Sequence, residues 1–386
     1  MHETETRPRW ITPMRPRSPD EAHRAATPLE LLFDLVFVVA VAQAASSLHH
    51  GIAEGHVGEV LPYYVMVFFA IWWAWMTFTW FASSYDNDDV PYRLLVFVQM
   101  TGALIVASGV EQVFVEQDLT VIVIGYVVMR IAGVAQWLRA AQADPSHRPA
   151  DLRYAIGTVL LQVGWVLLLS MPKAALLPLF VVGVVLELLL PIWAERPSPT
   201  PWHEHHIRER YGLFTIIVLG EAILSNSVAI RVAADEVGMT GSLMTFIVGG
   251  LLIVYSMWWL YFYQPAPGNL TSSMRVAFTW AYGHWLIFAS SAAVGVGLAL
   301  AIDAFTHNAE ITVTEAGLAL AVPTALYVLS LWVLQDHINE KTWFDTLLNP
   351  VAAVLILLTP FVGNAVLLTG IILVVLVALR LIRHLE

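Results

Sequence analysis

An all-α, polytopic transmembrane helical bundle of about twelve spans is the fold class this sequence predicts. Three observations predict it. The 386 residues are 58% hydrophobic and 13% charged, roughly half the charged fraction of a soluble domain, and mean hydropathy is +0.70. The apolar residues come in repeated blocks of roughly 18–25, the length that crosses a hydrocarbon core of about 30 Å. The short alternating segments of a transmembrane barrel are absent.

Residues 1–27 are polar, rich in Pro and Arg, and lack the apolar stretch of a secretory leader, which predicts a disordered tail. The apolar blocks then predict spans at 29–48, 60–81, 92–112, 119–140, 152–170 and 174–193 in a first half. A second half is expected to hold 212–231, 241–263, 276–301, 312–335, 344–362 and 364–384. Only Pro360, Gly363 and Asn364 interrupt the last apolar run. Proline inside a span kinks it as readily as it ends it, so eleven spans is the alternative.

Lys and Arg counted in loops and at span ends set the orientation. With the N-terminus in the cytoplasm, sixteen of the 19 lie on that side, Lys173 and Arg231 lie outside and Arg130 sits within a span. Both termini are therefore expected in the cytoplasm. The −11 charge offers no basic face for nucleic acid. Cysteine is absent, which removes disulfides and thiolate metal sites.

The halves, 28–200 and 201–386, look related. Leu104-Ile-Val-Ala-Ser108 matches Leu286-Ile-Phe-Ala-Ser290, and in that register Arg93 falls on Arg275. The expectation is a duplicated six-helix unit in parallel orientation, the alternative being chance likeness between aromatic, Ala-rich spans.

Carboxylates inside apolar spans are the best functional clue, because an ionisable group at that depth costs at least ~2–3 kcal/mol. Glu30 and Asp34 are four apart and share one helix face. They read either as a proton or cation relay or as a helix entrance paired with Arg93 or Arg210. Glu221, deeper in its span, has Ser225 one turn on and Gly220 beside it for close helix approach. It reads as a proton-carrying or ligand-binding carboxylate, or as a neutral hydrogen-bonded one.

Arg130 and Glu187, of opposite charge at similar depth, read as a buried clamp or a gate. His284, beside Trp285, suits proton transfer or a helix contact. In the loops, Asp86, Asp88 and Asp89 read as caps and Arg partners, or as oxygen ligands for Mg²⁺ or Ca²⁺. His203-Glu-His-His206, ahead of Glu209 and Arg210, matches no specific zinc signature. No metal is assigned, and no cofactor can be named. The Trp72–Trp80 run reads as packing or as a cavity lining.

Three blocks carry a family resemblance: Thr27-Pro-Leu-Glu-Leu-Leu-Phe-Asp-Leu-Val-Phe-Val-Val-Ala, Tyr85-Asp-Asn-Asp-Asp89 with Arg93, and Glu209-Arg-Tyr-Gly-Leu-Phe-Thr-Ile-Ile-Val-Leu-Gly-Glu221. In order and spacing the chain resembles the bacterial low-temperature-requirement A family over roughly residues 25–385. The resemblance implies an integral membrane protein linked to growth in the cold, without a settled activity. It draws attention to Glu30, Phe33, Asp34, Asp86, Asp89, Arg93, Glu209, Arg210, Gly220 and Glu221.

The leading expectation is a proton- or cation-linked transporter or channel using Asp34 and Glu221, tuned by Arg93 and Arg210. The alternatives are an intramembrane enzyme acting on a lipid-soluble substrate and a non-catalytic, stress-related scaffold. Whether the protein is an enzyme is left open. The expected partners are the bilayer and a small ion or lipid-soluble ligand.

Overall fold

The computed structural model describes residues 10–18, 21, 24–263, 270, 273–336 and 343–385. Apolar blocks leave the backbone no water to bond, so each closes its hydrogen bonds internally as a helix. Twelve α-helices result among the described residues. They are α1 Pro28–Ala53, α2 Val57–Tyr85, α3 Val90–Glu116, α4 Thr120–Ala143, α5 Arg148–Leu168 and α6 Lys173–Ala194. The rest are α7 Glu204–Val237, α8 Gly241–Tyr263, α9 Met274–Thr306, α10 Val313–Leu331, α11 Trp343–Leu358 and α12 Ala365–Leu385.

Eleven of these are long and apolar enough to cross a membrane, not the twelve expected. The exception is α11, whose 16 residues reach about 24 Å at 1.5 Å each. A 3₁₀ turn at Thr359–Phe361, carrying Pro360, follows it before α12 begins. Arg7, Arg9 and Lys341, which belong to the sixteen cytoplasmic Lys and Arg of the orientation count, lie outside the described residues.

Local chemistry fixes several helix ends. Asp89 caps α3 by accepting from the Tyr92 amide, with Pro91 in the first turn. Thr312 and Glu315 form a reciprocal capping box on α10. The largest departure from the hydropathy reading is α7. It starts at Glu204 rather than near Gly212, with His206 and Arg210 of its first turns buried against protein.

The chain divides into two compact units: Met1–Gln43 with Phe69–Arg210, and Ala44–Phe68 with Tyr211–Glu386. In the first, α3 packs on α4, α4 on α5 and α5 on α6. A Cβ on Gly102 would stand 2.6 Å from the Gly125 carbonyl oxygen, so backbone meets backbone there. In the second unit α9 packs on α10, α10 on α11 and α8 on α12. Gly249 is a close-packing point, where a Cβ would lie 2.9 Å from Leu367 Cα.

Candidate functional site

In the first unit the N-terminus of α1 gathers buried charge. Thr27 and Glu30 form a capping box. The Thr27 amide and hydroxyl donate to Glu30 Oε2 at 2.8 and 3.0 Å, and the Glu30 amide donates to Thr27 Oγ1 at 3.3 Å. That leaves Glu30 Oε1 free to meet α7, where it accepts from Arg210 Nη1 at 2.9 Å. One helical turn on, Asp34 takes Arg210 in a two-pronged grip. Nε donates to Oδ2 at 3.0 Å and Nη2 to Oδ1 at 2.5 Å. The Trp75 indole of α2 adds a third donor to Asp34, at 2.6 Å. Arg210 and Asp34 are both 0% exposed. A planar guanidinium suits this fork geometry as an ammonium would not.

Around this core stand three more groups of the same unit. His206 Nε2 lies 3.0 Å from Glu30 Oε1, an ion-pair distance off the line of a hydrogen bond, and His206 Nδ1 is buried without a partner among the described residues. Arg24 donates to the carbonyl oxygens of Ser83 and Ala82, closing the end of α2. It also feels the charges of Glu30 and Asp86. The buried Tyr92 hydroxyl of α3 feels the charges of Asp86 and Glu30 and has no hydrogen-bond partner among the described residues. Arg210 alone thus meets both Glu30 and Asp34, with His206 as a further neighbour of Glu30.

Asp86 is 4% exposed. Burial first, and then the charge of Glu30, push its carboxyl up to about 6. The folded protein therefore holds this proton where an unfolded Asp, near pH 3.9, has lost it. The stability it contributes is fully present below about pH 4 and is lost as pH rises through about 6. Asp86→Asn should flatten the pH profile of thermal unfolding across that window, by roughly 3 kcal/mol. A variant profile that still falls like the wild-type one would refute the assignment.

The other loop carboxylates act as caps. Asp89 Oδ2 accepts from the Thr12 amide at 2.9 Å and from Arg139 Nη2 at 2.6 Å. Burial would raise Asp89, but the Thr12 amide, Arg139 and the Tyr92 amide outweigh it and hold the carboxyl below the usual range. Asp88 pairs with Arg93 at 2.7 Å. Arg93, expected beside Glu30 and Asp34, is therefore engaged elsewhere, and its side chain is 42% exposed. Glu209 Oε2 accepts from the Ala26 amide at 3.2 Å, tying down the entry to α1. His203 Nε2 sits 2.8 Å from the Glu21 carbonyl oxygen, so its ring and that of His206 face different partners. Among the described residues no three His, Asp or Glu side chains form a metal-holding group.

A second buried charge pair lies within the same unit. Arg130 of α4 meets Glu187 of α6 at 2.5 Å. Two indoles complete the carboxylate's shell: Trp73 donates to Oε2 at 2.9 Å and Trp165 to Oε1 at 2.6 Å. The Trp run of α2 thus supplies N–H donors to two intramembrane carboxylates, a role the sequence reading did not assign. Buried indole N–H groups need acceptors, and carboxylates are the strongest ones available at that depth.

Glu221 and His284 belong to the second unit. Glu221 is 7% exposed, accepts from Ser225 Oγ at 2.5 Å, and has no ion pair among the described residues. Gly220 does not serve close helix approach as expected, since a Cβ there would meet nothing within 4 Å. His284 has both ring nitrogens engaged, Nδ1 with the Trp280 carbonyl oxygen at 2.7 Å and Nε2 with the Tyr261 hydroxyl at 3.1 Å. It is a satisfied core histidine.

Comparison with known proteins places residues 25–382. The family model described as "Bacterial low temperature requirement A protein (LtrA)" matches residues 25–382. An uncharacterized protein of Rhizobium meliloti (strain 1021) is 27% identical over 368 residues, covering 90% of this chain and 86% of that protein. No solved structure matches the chain.

Proposed function

The chain belongs to the bacterial low temperature requirement A family, a multi-pass membrane protein, and on that premise we propose proton-linked transport with Glu221 as the exchanging carboxyl. The observation that carries this reading is a contrast. Asp34 and Glu187 are each locked by an arginine and at least one indole. Glu221 has a serine hydroxyl and no ion pair among the described residues. A group bound by a guanidinium exchanges a proton only by breaking a buried pair. A carboxyl held by one hydroxyl rearranges little when it does so.

In this reading the Arg210 cluster is a fixed anchor that seats α7 against α1 where the chain enters the membrane. Glu221 works from the same helix about three turns further on. The partly exposed His49–Asp303 pair, at 2.7 Å in the second unit, lies toward the far ends of α1 and α9. The Lys and Arg distribution supports a cytoplasmic placement of both termini, which, with eleven helices long enough to span, requires α11 and its 3₁₀ turn to cross as well. The matched Leu104–Ser108 and Leu286–Ser290 segments support descent from a duplicated six-helix unit.

Purified protein in liposomes under a pH gradient tests the proposal. Native protein should dissipate the gradient, and Glu221→Gln should slow it at least about tenfold, or 1.4 kcal/mol, with no loss of helix content. Equal rates for the two proteins would rule Glu221 out.

A further inference from the structure

Helices α4 and α5 turn large apolar side chains outward, Ile131 at 66% and Leu160 at 65% exposed, as lipid-facing helices do. Between them runs a groove of about 480 Å³, walled by Val127, Ile131, Val159 and Val163 among others. That volume falls in the range of sites for small molecules, roughly 300–1,000 Å³.

The groove also touches three polar side chains, Arg130, Thr158 and Gln162, and the first and last of these have unmet polar atoms. Arg130 gives Nη2 to Glu187, while its Nη1 is buried with no hydrogen-bond partner among the described residues. Gln162 has both its side-chain nitrogen and oxygen buried in the same condition. Within a bilayer no bulk water stands ready to satisfy these groups, and each unmet one is costly.

We propose that this groove binds a neutral, membrane-dissolved carbonyl compound with an apolar tail, of the quinone class. The unmet donors, Arg130 Nη1 and Gln162 Nε2, are of the kind that a carbonyl oxygen accepts. The apolar walls suit a ring and an isoprenoid or alkyl chain. Charge decides against an anionic lipid headgroup: Glu187 already neutralises Arg130, so an anion brought here would stay uncompensated at low dielectric. Depth decides the same way. Arg130 and Gln162 both stand well inside their spans, in Thr120–Ala143 and Arg148–Leu168, where a headgroup's own charge is expensive.

The test is equilibrium binding of a radiolabelled benzoquinone with a decyl tail to the full-length protein in phosphatidylcholine nanodiscs. Saturable binding is expected. Gln162→Leu, which removes the amide, and Val159→Trp, which fills the groove, should each weaken it at least about tenfold. Unlabelled quinone should displace the label where an added anionic phospholipid does not. Three results would overturn the proposal: no saturable binding to native protein, affinity unchanged in both variants, or displacement by the anionic lipid as effective as by the quinone.

Discussion

Arg210→Met should cost about 3–5 kcal/mol of stability, the range for removing one partner of a buried pair. The guanidinium makes three of the hydrogen bonds that hold Asp34 and Glu30, and all three side chains are at most 1% exposed. Without it two carboxylates stand one turn apart in a dry site. Asp34 keeps only the Trp75 indole, and Glu30 keeps Thr27 and the contact with His206. Thermal unfolding in detergent should show a large fall in melting temperature, or the variant should fail to accumulate. Adding Glu30→Gln and Asp34→Asn to Arg210→Met should recover most of the loss, because neutral groups no longer need the cation. A triple variant as unstable as Arg210→Met alone would mean that packing, rather than charge, is what Arg210 provides.

Arg130→Met should come next in size, about 3 kcal/mol, at the low end of the same range. Glu187 would retain its two indole donors, Trp73 and Trp165. These soften the loss without supplying countercharge. Replacing both members, Arg130→Met with Glu187→Met, should lie closer to wild type than either single change, since a buried pair exchanged for apolar residues is often neutral. A double variant whose loss equals the sum of the two singles would show the charges to be uncoupled.

The helices were legible because hydropathy and length dictate them; the partners of the charges were only half so. Opposite charges at similar depth pointed to the pair that Arg130 and Glu187 form. The four-residue spacing put Glu30 and Asp34 on one face, but sequence offered both Arg93 and Arg210 as their cation. Tertiary packing alone settles that choice, sending Arg93 to Asp88 and burying Arg210. The start of α7 was missed because hydropathy sees no span before Gly212. The Glu204–Arg208 pair, four apart and 2.6 Å in the fold, was the available signal. Thr27-Pro-Leu-Glu30 is a readable capping box with proline in the first turn, and reading it would have explained how Glu30 divides its two oxygens. His206 stood out only as part of the His203–His206 cluster, and the fold alone brings it to Glu30.

These arrangements divide the intramembrane carboxylates by work. Glu30 and Asp34 anchor α1 to the first turns of α7, and Glu187 ties α6 to α4. Glu221, hydrogen-bonded to Ser225, is the carboxyl proposed to change its protonation. Proton flux through proteoliposomes tests that division most directly, with native protein compared against Glu221→Gln, Ser225→Ala and protein-free vesicles under one pH gradient. The account predicts flux in native protein, flux altered by Ser225→Ala, and loss of at least about tenfold in Glu221→Gln. Native flux no faster than that of empty vesicles, or undiminished flux in folded Glu221→Gln, would contradict it.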